Sequence, residues 1–280
     1  MIVFKTRSEV QKYCLDAKRS GKTIGLVPTM GFLHDGHMSL IDIARAKADI
    51  VVVSLFVNPT QFAPNEDFDS YPRDFERDKN MCVEHQVDVL FAPEPGEMYA
   101  PDASTYVEEM KLSRPLCGKS RPTFFRGVTT VVAKLFLLTQ PDFAVFGEKD
   151  AQQLLVIKRM VRDLDFPVEI IPGKLIRDTD GLALSSRNRY LSTDERFRAL
   201  AIHQALVAAK KEILLSGKID AALENAKQTI TDSGGRIDYV SILDTETLEA
   251  PTEKTQRVLL AAAVFYGTTR LIDNEMFDLE

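Results

Sequence analysis

The run Ile50-Val51-Val52-Val53 has no polar side. A strand with one wet face alternates apolar and polar residues, whereas a strand covered on both faces is apolar throughout, as parallel strands are. The segments around it repeat in a fixed rhythm. Thr23–Val27, Ile50–Val57, Val87–Phe91, Phe143–Phe146 and Val168–Ile171 read as strands. Gly36–Ala48, Arg73–Gln86, Val128–Thr139 and Ala151–Leu164 read as helices between them. Alternating β and α with apolar strands specifies an α/β fold, a Rossmann-like doubly wound parallel sheet. Beyond about Ile176 the texture changes. Leu200–Leu215 and Ala221–Ser233 read as helices, Gly234-Gly235 as a turn, and Tyr239–Leu243 and Val258–Tyr266 as strands. The expected organisation is therefore residues 1–176 as a Rossmann-like domain and residues 177–280 as a smaller C-terminal α+β domain.

In such folds ligands bind beyond the C-terminal ends of the strands. The run Pro28-Thr29-Met30-Gly31-Phe32-Leu33-His34-Asp35-Gly36-His37 occupies such an end, and it holds two of the chain's four histidines. A helix start offers unpaired N–H groups and a positive dipole end. His34 and His37, three apart, fall on one face of that turn, and Gly36 between them is expected to leave room for a phosphate or ribose. Taken alone, the pattern also fits two surface histidines. A zinc site needs more nitrogen or sulfur ligands than this pair supplies.

Three further polar segments follow strands or the domain junction. Asn58-Pro59-Thr60-Gln61 is a turn that presents the Gln61 amide, able to donate and accept. Gly147-Glu148-Lys149-Asp150 offers a flexible turn, a point positive charge and a candidate helix cap, with Gln153 facing the same crevice as Asp150. Leu184-Ser185-Ser186-Arg187 sets two hydroxyls before a fixed cation, a combination suited to phosphate. Each segment alone also reads as a polar loop or a capped helix start. Ser20-Gly21-Lys22-Thr23 imitates the tail of a P-loop, but Asp16 stands where the first glycine belongs and a strand follows instead of preceding it. No G-x-G-x-x-G occurs, so a dinucleotide cofactor is not indicated.

Composition limits the partners. A net charge of −6 argues against a nucleic-acid surface. No apolar run approaches the ~20 residues of a membrane helix, and the first residues lack signal-peptide architecture. Cys14, Cys82 and Cys117 imply no disulfide framework, so a cytoplasmic address is expected.

Taken together, the motifs resemble the pantothenate synthetase (pantoate–β-alanine ligase) family, within the H-x-G-H nucleotidyltransferase superfamily. That family carries P-T-M-G-x-L-H-x-G-H, F-V-N-P-x-Q-F, Y-P-R, F-R-G-V, F-G-E-K-D-x-Q-Q, L-S-S-R-N-x-Y-L and T-R-L-I-D-N. This chain has them in that order, including Tyr71-Pro72-Arg73, Phe125-Arg126-Gly127-Val128, Leu184 to Leu191, and Thr269 to Asn274. The resemblance implies ATP-dependent ligation of pantoate and β-alanine to pantothenate, AMP and diphosphate through a pantoyl adenylate. It implies that His37, His34, Lys149 and Arg187 act on the phosphates, with His37 a candidate proton donor. Met30, Gly31, Phe32, Leu33, His34, Asp35, Gly36, His37, Gly147, Glu148, Lys149, Asp150, Ile176, Leu184, Ser185, Ser186 and Arg187 would line the ATP site. Gln61 and Gln153 would bind pantoate, with Gln61 also near β-alanine. No residue is assigned as a metal ligand. Mg2+ would be held mainly by the ATP phosphates, with Asp78 a candidate helper. Relatives of this kind are homodimers.

Two departures stand out. Phe124 replaces a frequent His, and Thr60 replaces a frequent Met in the Asn-Pro-x-Gln loop, where it is expected to alter the pocket wall. The polar loop Ala63 to Ser70 is a candidate lid. A nucleotidyltransferase with another acceptor, or a degenerate ATP-binding module, would share the first motif but not the whole set.

Overall fold

The computed structural model describes residues 1–64 and 66–279; Asn65, within the candidate lid, and Glu280 lie outside the described residues. The chain runs through β1 (Ile2–Phe4), α1 (Arg7–Arg19), β2 (Ile24–Thr29), α2 (Asp35–Arg45), β3 (Ile50–Leu55), α3 (Phe75–Glu84) and β4 (Val89–Phe91). Two four-residue turns of helix, α4 (Pro95–Met98) and α5 (Cys117–Ser120), lead to α6 (Phe124–Thr139), β5 (Phe143–Gly147), α7 (Ala151–Asp163) and β6 (Glu169–Gly173). The remainder comprises α8 (Thr193–Ser216), α9 (Ile219–Asp232), β7 (Arg236–Asp244), β8 (Arg257–Tyr266) and β9 (Thr269–Asp278).

Strands β1 to β6 form one parallel sheet in the order β1-β4-β3-β2-β5-β6. Successive residues of the apolar strands enter opposite cores. Val52 packs with α1, α6 and α7, while Val51 and Val53 pack with α2 and α3. This two-sided burial is the reason Ile50–Val53 carries no polar face.

Strands β7, β8 and β9 form a separate antiparallel sheet. Its central strand β8 is also covered twice. Val258, Leu260, Ala262 and Val264 face α8 and α9, while Leu259 and Ala261 join a seam with Leu116, Phe125 and Val156 of the larger unit.

The structure adds elements that periodicity did not mark. β1 has three residues, too few for a pattern, and α1 has only two buried positions, Val10 and Cys14. α8 begins at Thr193, not Leu200, because Ser192 and Glu195 form a reciprocal capping box over a charged first turn. β9 pairs along its whole length with β8. Among the described residues, no helix is long and apolar enough to cross a membrane.

Candidate active site

Strand order reverses at β2. From β2 the chain passes outward through β3 to β4, then returns to place β5 on the other side. Such a switch point opens a crevice beyond the strand ends. Here the opening starts early. β2 pairs with β5 only at Gly25–Phe143 and Leu26–Ala144, and Pro28 has no N–H to extend the ladder.

The loop leaving β2 is held from beneath. Gly31 and Phe32 both adopt left-handed backbone, with φ of +84° and +50°, a conformation costly for a phenylalanine. Asp78, buried on α3, offsets that cost. One carboxylate oxygen accepts from Phe32 N at 2.6 Å and the other from Leu33 N at 2.8 Å. Burial raises its pKa, against the pull of those two amides. Both oxygens are thereby committed to the backbone, so Asp78 does not fit the helper role toward magnesium. Among the described residues, no cluster of three or more His, Cys, Asp or Glu is placed to hold a metal ion.

His34 caps α2 by position and His37 stands three residues inside it. Their rings lie 4.0 Å apart between centroids, tilted by 38°. His37 Nδ1 accepts from the His34 backbone N–H at 3.3 Å, so the neutral ring carries its proton on Nε2. Burial lowers both imidazoles, His34 to about 4 and His37 well below its ordinary value, with Lys149 adding to both shifts. Both rings are therefore neutral hydrogen-bond donors at neutral pH, not stores of acidic protons. Gly36 lines the cavity and also serves this packing: a Cβ there would stand 2.9 Å from His34 Nδ1.

The β5 side is built differently. Glu148–Asp150 forms a 3-10 turn, with Lys149 Nζ 3.7 Å from Asp150 Oδ2. Asp150 makes no side-chain cap, and Gly147 has ordinary extended backbone. Asn274 of β9 does the fixing: its Nδ2 donates to the carbonyls of Glu148 and Lys149, each at 3.0 Å. Its neighbour Asp273 is held by Arg177 in a two-pronged ion pair at 2.7 and 3.0 Å. The late T-R-L-I-D-N motif therefore works at the cleft. Gln152 and Gln153 both line the cavity, but the Gln152 amide is already engaged, joining Leu112 O, Pro115 O and Cys117 N.

Ser186 donates to Phe32 O at 3.1 Å, tying the inter-sheet loop to the β2 loop. Arg187 is engaged by Asp67 at 2.8 and 2.9 Å, and Arg121 by Glu66 at 2.6 Å. The loop proposed as a lid thus places two carboxylates on two cleft arginines. Phe124 lies under the Arg121 guanidinium, 3.8 Å from its ring centre. Thr60 does not line the cavity; its hydroxyl donates to Asn58 Oδ1 at 2.9 Å.

These walls enclose a cavity of about 260 Å³. The residues assigned to the nucleotide and acid sites from the sequence line it, except Gly31, Phe32, Leu33, Asp35 and Glu148; Asp78 and Thr60 also lie outside the lining. Phe32 and Leu33 give backbone N–H groups to Asp78, and Asp35 is exposed. The structure adds Asn58, Tyr71 and Arg121 to the lining. The signal for the first two was present in the Asn-Pro and Tyr-Pro-Arg motifs, which mark turns but not which side chain faces inward; Arg121 lies in none of the quoted motifs.

A switch-point crevice bordered by paired imidazoles, a lysine and an arginine defines a nucleotide-binding α/β enzyme. Comparison narrows the class. Residues 2–276 match the family model for pantoate–β-alanine ligase. The chain is 52% identical to pantothenate synthetase of Thermotoga neapolitana, covering 98% of this chain and 99% of that protein. It is 51% identical to that of Moorella thermoacetica, covering 100% and 99%. Among solved structures, a pantothenate synthetase from Thermus thermophilus superposes with a TM-score of 0.93 at 44% identity, covering 98% of this chain and 99% of that one. The Francisella tularensis pantoate–β-alanine ligase, solved with β,γ ATP and β-alanine, gives 0.82 at 34% identity, covering 99% and 97%. The chain belongs to the pantoate–β-alanine ligase family.

Proposed function

We propose that this cavity joins pantoate to β-alanine in two steps. The pantoate carboxylate attacks the α-phosphorus of ATP, the bond to the β-phosphate oxygen breaks, and diphosphate leaves. The neutral amine of β-alanine then attacks the acyl carbon of the pantoyl adenylate. The bond to the phosphate oxygen breaks, AMP leaves, and the nitrogen sheds a proton to give pantothenate. The substrate supplies the nucleophile in both steps, so catalysis rests on positioning and on neutralising phosphate charge.

One observation carries this reading: two neutral imidazoles and Lys149 meet at the switch-point crevice. His34 and His37 donate N–H groups to phosphate oxygens, Lys149 and Arg187 add charge, and Ile176, Leu184 and Ser185 border the nucleotide. Gln61 and Gln153 hold pantoate, with Gln61 near β-alanine. Magnesium would be held mainly by the ATP phosphates, where it would neutralise part of their charge. Residues 1–176 and 177–280 act as two domains, the second closing over the nucleotide. We further propose a homodimer working in the cytoplasm, on the strength of the family resemblance and of three buried free cysteines.

The test is diphosphate release from ATP. Turnover that needs both pantoate and β-alanine, with AMP as co-product and a single-turnover burst on pantoate alone, is expected. Turnover with pantoate alone at the full steady-state rate would overturn the two-step course.

A further inference from the structure

The cavity-facing amide of Gln61 has its polarity set by backbone two steps away. Asn58 is buried, 1% exposed. Its Nδ2 stands 3.1 Å from the carbonyl of Gly127 and 3.0 Å from Gln61 Oε1. Its Oδ1 stands 3.3 Å from the backbone N–H of Thr60 and 2.9 Å from the hydroxyls of Thr60 and Tyr99. A carbonyl only accepts and a backbone N–H only donates. The Gly127 carbonyl and the Thr60 amide therefore admit one orientation of the Asn58 amide. With one Nδ2 hydrogen on Gly127 and the other on Gln61, Gln61 must offer its oxygen to Asn58. Its Nε2 is left facing Met30 Sδ at 3.0 Å, a weak acceptor.

The contact is built for close approach. A Cβ on Gly127 would stand 2.5 Å from Thr60 O and 2.7 Å from Gln61 N, so only glycine brings α6 against the turn that carries Gln61.

We infer that Asn58 is a specificity-setting residue of the ligase: through Gln61 it presents a donor-only group to the acid substrate, which must answer with a lone-pair oxygen. This rests on the reading of Gln61 as an acid-binding residue. One oxygen of the acid's carboxylate attacks the α-phosphorus; on this inference an alcohol oxygen of the same acid answers Nε2. An alcohol oxygen accepts from Nε2. An ammonium in its place has no lone pair and meets a donor head-on, and a site built to donate leaves that group unpaired.

The experiment compares pantoate with its two amino analogues, in which the C2 or C4 hydroxyl is replaced by an amine. For the wild type, kcat/KM is expected to be at least tenfold lower for the analogue altered at the Gln61 contact. Asn58→Asp replaces Nδ2 with an acceptor and turns the Gln61 amide around. It should raise the KM for pantoate about thirtyfold, leave the KM for ATP within threefold, and move the pantoate-to-amine ratio toward the amine by tenfold or more. Gln61→Glu, which keeps the shape and removes the donor, should move the ratio the same way and serves if Asn58→Asp fails to fold. A ratio unmoved in a folded variant overturns the inference, because a purely structural role lowers both substrates alike. Gln61→Ala separates the two layers. An unchanged KM for pantoate removes Gln61 from the acid site, whereas a raised KM with an unmoved ratio in Gln61→Glu defeats the polarity argument alone.

Discussion

On the β2 side of the crevice, the loop leading to His34 and His37 is pinned by a carboxylate from the next helix of the same sheet: Asp78 on the amides of Phe32 and Leu33. On the β5 side, the turn bearing Lys149 is pinned by an amide from the other sheet, Asn274, 125 residues further along the chain. The first rim is braced mainly within its own sheet, by Asp78 under left-handed Phe32 and by two tilted imidazoles packed 4.0 Å apart, with Ser186 as one tie from beyond it. The second depends on how the small sheet docks. A cleft assembled this way has one fixed wall and one wall whose geometry is lent by a neighbour.

That contrast can be broken at either end. His37→Ala should lower the adenylation rate by roughly 10²–10³, the loss expected for one electrostatic stabiliser, with thermal unfolding little changed. Rapid-quench measurement of pantoyl adenylate tests this, and near-full turnover would remove His37 from the chemistry. Asp78→Ala strands two amides of which one is fully buried, a loss of about 1–3 kcal/mol for each unpaired group. Urea unfolding and kcat/KM should fall together, and Asp78→Asn, which keeps one acceptor, should recover part of both. Asn274→Ala should lower kcat/KM for ATP about tenfold, the effect of ~1.4 kcal/mol. Because Lys149 helps to hold both imidazoles low, loosening its turn should let the His34 titration rise. An unmoved titration would show that the Lys149 turn keeps its place without Asn274.

The smallest effect concerns protons. Both imidazoles titrate lower in the folded chain than in an unfolded one, His34 near 4 against an ordinary 6.5. The unfolded state therefore binds more protons between these values. The stability these rings contribute is complete above about 6.5 and is lost as pH falls toward 4. Placing ATP phosphates against them raises both pKa values, so binding should take up a fraction of a proton. Calorimetry in buffers of different ionisation enthalpy measures it, and proton release would contradict rings that are neutral before ATP binds.

Much of the β2 rim was legible in the sequence, because its determinants are contiguous: a strand, a Pro, a Gly and two histidines within ten residues. The parallel sheet was legible for a similar reason, since two-sided burial writes itself into each strand separately. The partners of those segments were not. Asp78 read as a candidate helper toward magnesium, not as a brace for backbone amides, and nothing local in Ile272-Asp273-Asn274 says that one amide reaches across to Lys149. Gly36 was read as room for a ligand and Thr60 as a piece of the pocket wall; Gly36 lines the cavity and also makes room for an imidazole, whereas Thr60 serves Asn58. Side-chain direction within a known motif is a tertiary property, settled by what packs behind it.

The Asp67–Arg187 pair has one more consequence. Asp67 occupies the edge of the guanidinium formed by Nε and Nη2, so one edge of the same cation is spoken for and the Nη1 side is left to a second oxyanion. A carboxylate and a phosphate on one arginine would sit close enough to repel each other, so the loop that carries Asp67 sets the electrostatic terms on which any anion enters there.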